Sequence, residues 1–97
     1  MNKAIVIDPL DNVATAITDL EAGCIVTVRR ELEKKVKVRQ PIPFGHKFAL
    51  RRIKKGEKII KYGEVIGRAT KSIEEGEHVH IHNVESMRGR GDIDEHD

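Results

Sequence analysis

Three of the five histidines in this 97-residue chain occupy alternate positions near its C-terminal end: His78, His80 and His82. In a strand, successive side chains point to opposite faces, so the three imidazoles would share one face while Val79 and Ile81 pack into the core from the other. Same-face neighbours lie roughly 6.5–7 Å apart at Cα, a spacing from which two imidazoles can converge on one cation. Asn83 follows directly. The spacing alone leaves open a metal or substrate site and an ordinary solvated face.

A second group of candidates lies in the stretch GHKFAL. Alternation directs Phe48 and Leu50 towards the core together with His46, whereas Lys47 and Ala49 point away from it. The ammonium group of Lys47 can pair with an anionic substrate. On the sequence alone, an ordinary surface lysine is the better explanation of this position.

A third group surrounds a predicted turn at Tyr62 and Gly63, within the stretch IIKYGEVIG. Lys61 and Tyr62 offer an ammonium group and a phenol beside a glycine bend, and both suit recognition of a carboxylate or a hydroxyl group. Packing of the turn itself explains these residues nearly as well.

Charge and composition limit the class of protein. Eighteen basic residues are nearly balanced by 16 acidic ones, and only three residues are aromatic, which argues against a nucleic-acid-binding surface. No apolar run approaches the roughly 20 residues that cross a bilayer, and the N-terminus lacks the apolar region of a signal peptide. The single cysteine, Cys24, favours a reducing compartment. We therefore expect a cytoplasmic protein that binds neither nucleic acid nor membrane.

The elements that must position these residues are short strands with period-two patterning. CIVTVRR and KKVKVRQ form a predicted hairpin with its tip at residues 31–33, in which four alternating valines face the core: Val26, Val28, Val36 and Val38. Strands are also predicted in KAIVI and at residues 46–50, 58–60, 65–69 and 78–82. Residues 13–21 are compatible with either a short helix or a strand.

A turn signature occurs three times, in DLEAGCIV, RIKKGEKI and SIEEGEHV. Each copy has an apolar residue, two spacers, a glycine and then the start of an apolar strand. Gly23, Gly56 and Gly76 are predicted to adopt the positive φ that glycine tolerates best. Short strands with frequent turns predict one small, coiled all-β domain over residues 1–86, with at most one short helix and a polar tail over residues 87–97.

The stretches GHKFAL, IIKYGEVIGRA and IEEGEHVHIHN occur in this order, preceded by LDNVATAI. As a set they resemble the small N-terminal SAF domain of the altronate/galactarate dehydratase family, over roughly residues 8–83. The resemblance implies a β-clip fold, similar to that of type III antifreeze proteins. The same unit also resembles the small subunit of sulfolactate sulfo-lyase.

The resemblance implies a small subunit that contributes to a metal-dependent β-elimination site shared with a large catalytic dehydratase subunit. It implies catalytic roles for Lys47 and Lys61. It also implies that His78, His80 and His82 bind the metal ion. The residues that it implies for substrate binding are His46, Tyr62 and Asn83. The implied cofactor is a divalent metal ion, Fe(II) first, with Mn(II) and Zn(II) as alternatives.

The end of the chain, NVESMRGRGD, favours a sugar acid over sulfolactate as the substrate. A non-catalytic module that binds sugar acids is a further alternative, and self-association into a homo-oligomer stays open.

Overall fold

A computed structural model describes residues 3–29 and 33–86 of the chain. The described residues form nine short strands and no helix, so the all-β prediction is confirmed. Within these ranges there is accordingly no helix that is long and apolar enough to cross a membrane. The strands are β1 (Ala4–Ile5), β2 (Val13–Ala16), β3 (Ile25–Arg29), β4 (Glu33–Lys37), β5 (Lys47–Ala49), β6 (Lys58–Lys61), β7 (Glu64–Ala69), β8 (His78–Val79) and β9 (Val84–Ser86). The predicted tail, residues 87–97, and residues 31 and 32 of the predicted hairpin tip lie outside the described residues.

The strands form three antiparallel sheets. A four-stranded sheet has the order β1-β2-β5-β8, β3 and β4 form the predicted hairpin, and a three-stranded sheet has the order β6-β7-β9. Residues 13–16, left open between helix and strand by the sequence, form β2 in the middle of the first sheet.

The first sheet lies between two apolar clusters. Phe48 of β5 packs into one cluster with the four predicted valines of the hairpin, while its neighbour Ala49 packs into the other. Because successive side chains point to opposite faces, β5 is buried on both sides. The prediction that Ala49 points away from the core is therefore wrong. His46 was predicted to face the core, but it precedes β5 and is only partly buried.

Within residues 3–29 and 33–86 the repeated turn occurs four times, once more than predicted. Gly23, Gly45, Gly56 and Gly76 all have φ between 84° and 90°, which confirms the positive φ predicted for three of them. In each copy a buried aliphatic residue lies three positions before the glycine, and these four residues pair across two isolated bridges: Leu20 with Ile42, and Ile53 with Ile73. The sequence did not predict the copy at Gly45, because Pro43 and Phe44 stand where the other copies have charged or small residues.

Candidate metal and substrate site

A cluster of imidazoles lies where β5 and β8 pair. In this pairing Phe48 lies opposite His78 and Lys47 opposite Val79. His46 directly precedes β5, and its Nδ1 lies 2.9 Å from Nε2 of His78. The ring of His80 stacks on that of His46, with 4.2 Å between their centroids. The cluster thus joins two segments that lie more than 30 residues apart in the sequence.

The strand predicted over residues 78–82 is shorter than expected. β8 ends at Val79, and residues 80–83 turn away from the sheet. Ile81, predicted to pack into the core, is 84% exposed instead. The ring of His82 approaches that of His78, with centroids 5.3 Å apart, but His82 is not one of the three histidines that converge.

Asn83 holds this turn in shape. Its side chain is fully buried; Oδ1 accepts a hydrogen bond from the N–H of His80 at 2.9 Å, and Nδ2 donates to the carbonyl of His78 at 2.8 Å. The two bonds fix the backbone of the two histidines that the turn carries. In this structure the amide of Asn83 therefore positions the cluster, whereas the sequence assigned it to the substrate.

Replacing Asn83 by leucine, which has a similar size, is expected to lower the free energy of unfolding by about 2–4 kcal/mol. The N–H of His80 and the carbonyl of His78 would lose their partners in a site that water reaches poorly. Urea unfolding measures the change. Asn83→Asp keeps the acceptor and loses the donor, so an intermediate loss is expected; a leucine variant as stable as the natural protein would contradict this role.

Burial and the repulsion of nearby positive charges favour the neutral form of His78 and His80. Desolvation, followed by the nearby positive charges of His46, His82, His80 and Lys47, lowers the pKa of His78 to about 4. Desolvation also lowers the pKa of His80, again with help from His46 and Lys47. A neutral imidazole offers the lone pair that a metal ion requires.

Three of the histidines fit a divalent metal ion. One ring nitrogen from each of His46, His78 and His80 lies within 4.8 Å of the others. The 2.9 Å between Nδ1 of His46 and Nε2 of His78 is the length of a hydrogen bond between the two rings. It is also close to the separation of about 3.0 Å between adjacent ligand atoms around an octahedral ion with bonds of about 2.1 Å. Imidazole suits zinc, iron and copper. The arrangement can therefore hold a metal ion, with His46 in the position that the sequence gave to His82.

A pocket of about 430 Å³ lies beside the cluster. It is lined by Lys47, Lys61, Tyr62, Ile66, His80, Ile81, Val84 and Ser86. Burial, and secondly the positive charge of Lys61, lowers the pKa of Lys47. The Nζ of Lys61 lies 4.9 Å from the centre of the Tyr62 ring. The structure thus brings the predicted lysines and tyrosine together with His80, and no carboxylate is among these lining residues.

The turn that carries Lys61 and Tyr62 is tied to the core by two buried polar residues. Tyr62 and Gly63 both have positive φ, 55° and 77°, as in the tight turns of two-residue hairpins. The N–H of Gly63 donates to Oδ1 of Asp11 at 2.8 Å, and Oδ1 and Nδ2 of Asn12 bond to backbone groups of β6. The sequence did not predict this role. The signal was two adjacent polar residues, Asp11 and Asn12, directly before an apolar strand.

Three small antiparallel sheets with a recurring glycine turn define a small β-clip domain of the SAF type. The family described as altronate/galactarate dehydratase SAF domain matches residues 2–87. The chain belongs to this family, as its sequence predicted.

The chain is similar to two kinds of curated protein, one much longer than this chain and one of similar length. The chain is 49% identical over 78 residues to altronate dehydratase from Escherichia coli (strain K12), an alignment that covers 80% of this chain and 15% of that protein. It is 39% identical over 88 residues to (2R)-sulfolactate sulfo-lyase subunit alpha from Chromohalobacter salexigens, covering 87% of this chain and 94% of that subunit. For the corresponding subunit from Paracoccus pantotrophus the identity is 40% over 65 residues, covering 67% of this chain and 96% of that subunit. The chain thus matches a small part of one relative and nearly the whole of the others.

Proposed function

We propose that this chain is the small subunit of a hydroxy-acid lyase and that it supplies groups to an active site shared with a large subunit. The observation that carries the proposal is a pocket at which Lys47 and Lys61 meet His80, the histidine that converges with His46 and His78. The near full-length match to proteins named as alpha subunits supports the role of a small subunit.

The proposed reaction is a β-elimination. A base of the shared active site takes the proton from the carbon beside the substrate carboxylate, and the bond between the adjacent carbon and the leaving group breaks. The electron pair of the C–H bond becomes the new double bond as the leaving group departs with its own pair. Negative charge develops on the carboxylate as the proton is removed, and cationic groups stabilise it. Lys47 and Lys61 bind the anionic groups of the substrate, and Tyr62 can donate a hydrogen bond to an oxygen. A divalent ion bound by the histidines would act as a Lewis acid towards the same charge.

The two candidate substrates differ in the leaving group that the reaction expels. Coverage of 94% and 96% of two sulfo-lyase alpha subunits favours sulfolactate, with sulfite as the leaving group, over the sugar acid favoured by the sequence. The 49% identity to altronate dehydratase supports a sugar acid, with water as the leaving group, as the second candidate.

Co-expression with a large subunit homologous to the rest of altronate dehydratase tests the proposal. The complex is expected to release sulfite from (2R)-sulfolactate, or to form a keto acid from altronate, while the isolated chain does neither. Full turnover by the isolated chain would contradict the role of a small subunit. No turnover of either substrate by the complex would contradict the lyase function.

Removing one ammonium group from the pocket is expected to weaken substrate binding. Lys47→Met or Lys61→Met should raise KM about tenfold or more, because each variant loses a charge-assisted hydrogen bond to the substrate. Lys55→Met is the matched control, since Lys55 is exposed and is absent from the residues that line the pocket. Steady-state kinetics of the complex measure the change. An unchanged KM in both pocket variants would show that these lysines do not bind the substrate.

A further inference from the structure

Two large apolar side chains project into solvent beside the histidine cluster. Phe44 is 66% exposed two residues before His46, and Ile81 is 84% exposed directly after His80. Tyr62 and Val65, on the hairpin of β6 and β7, are also exposed. We refer to these four residues, Phe44, Tyr62, Val65 and Ile81, as the docking face. Exposed apolar side chains that lie near one another and near polar groups mark protein–protein interaction sites.

The turns that carry Phe44 and Ile81 are held rigidly. Both hydrogen-bonding ends of the Asn83 side chain fix the turn of Ile81. The N–H of Phe44 donates to Oδ1 of Asp19 at 2.8 Å, and Gly45, which follows, has a φ of 86°. Because these side chains are presented on ordered backbone, a partner that binds them loses little conformational entropy. Rigid apolar anchors of this kind commonly dominate the binding energy of an interface.

The docking face also borders the pocket. Ile81 and Tyr62 line it together with Lys47, Lys61 and His80. A protein that rests on Ile81 and Tyr62 would therefore cover the opening of the pocket and exclude water from the lysines and imidazoles.

We propose that Phe44 and Ile81 anchor the large subunit, which closes over the pocket; this inference rests on the proposed function. The pocket that the face borders is cationic, and its described lining includes no carboxylate. Its lysines therefore stay available for the anionic substrate, while the apolar residues around the pocket meet an apolar surface of the large subunit. The chain covers 15% of altronate dehydratase, which indicates that in this relative the same domain belongs to a much larger protein. A second copy of this chain is a poor occupant, because two cationic pockets would face each other.

The test measures the affinity of the chain for a purified large subunit homologous to the rest of altronate dehydratase. Ile81→Ser and Phe44→Ser are each expected to raise the Kd at least about tenfold, as loss of an interface anchor does. Ile25→Ser is the matched control, because Ile25 is 58% exposed on β3 and does not line the pocket. All three side chains are exposed, so thermal unfolding of the isolated variants should match that of the natural chain.

Each outcome bears on the proposal. If the natural chain binds the large subunit and the two docking-face variants bind equally well, the docking face is wrong while the proposed function stands. Equal weakening by Ile25→Ser would also overturn the assignment. If the natural chain does not bind the large subunit, the proposed function and the docking face both fail. A homodimer of the isolated chain that Ile81→Ser dissociates would identify a second copy as the occupant instead.

Discussion

Replacing His46, His78 or His80 by alanine is expected to lower the affinity of the isolated chain for a divalent ion by at least about 100-fold. Loss of groups that merely orient metal ligands already reduces affinity by roughly 10–100-fold, and loss of a ligand exceeds this range. The ring nitrogens of these three histidines lie within 4.8 Å of one another. Calorimetric titration with Zn(II) or Mn(II), and with Fe(II) under anaerobic conditions, measures the change.

His82→Ala is the matched control for this experiment. The ring of His82 lies beside that of His78, but His82 does not belong to the converging set. We therefore expect metal affinity to be nearly unchanged in this variant. If His82→Ala abolished binding while His46→Ala left it intact, the ligand set derived from the sequence would be correct and the one derived from the structure would be wrong.

Gly76→Ala is expected to destabilise the fold by more than about 4 kcal/mol, a large fraction of the stability of a small domain. Gly76 has a φ of 84°, and a Cβ atom at this position would overlap the carbonyl oxygen of Lys37. The N–H of Gly76 also bonds to the carbonyl of Ala49 at 2.8 Å. Since backbone surrounds the glycine, relief of the overlap would displace the turn that leads into β8 and His78. Denaturant unfolding and the metal affinity of the variant measure both consequences.

The repeated turn provides an internal control for that prediction. Gly56 occupies the same position in its own copy with a φ of 88°, but a Cβ atom there would meet nothing within 4 Å. Gly56→Ala should therefore cost only the strain of a positive φ, about 1–2 kcal/mol. Equal destabilisation by the two substitutions would show that steric overlap at Gly76 is not the cause.

Most of the local structure could be predicted from the sequence because it depends on near neighbours. The alternation of Val26 and Val28 with polar residues predicted a buried hairpin strand, and both valines are buried. The spacing of apolar residues around Gly56 predicted its turn, since the φ of a residue depends on local steric contacts. The strand over residues 78–82 was predicted too long because alternation alone cannot detect the hydrogen bonds by which Asn83 ends it.

The membership of the site was harder to predict because it depends on pairing between distant segments. His78 and His80 were correctly singled out as close neighbours, since both belong to one short segment. His46 joins them through the register of β5 and β8, which aligns residues about 30 positions apart. The hydrogen bond from the N–H of Gly63 to Asp11, which fixes the Tyr62 turn, joins residues that lie still further apart in the sequence.

The sequence by itself determined the all-β class, the glycine turns, most of the strands and the family of this protein. These properties follow from side-chain alternation, from the backbone freedom of glycine and from the order of recognisable stretches. Only the tertiary structure decided that His46, and not His82, converges with His78 and His80, and that Ile81 faces solvent. The physical reason is that strand register and a buried amide, neither of them a local property of the chain, fix where those side chains lie.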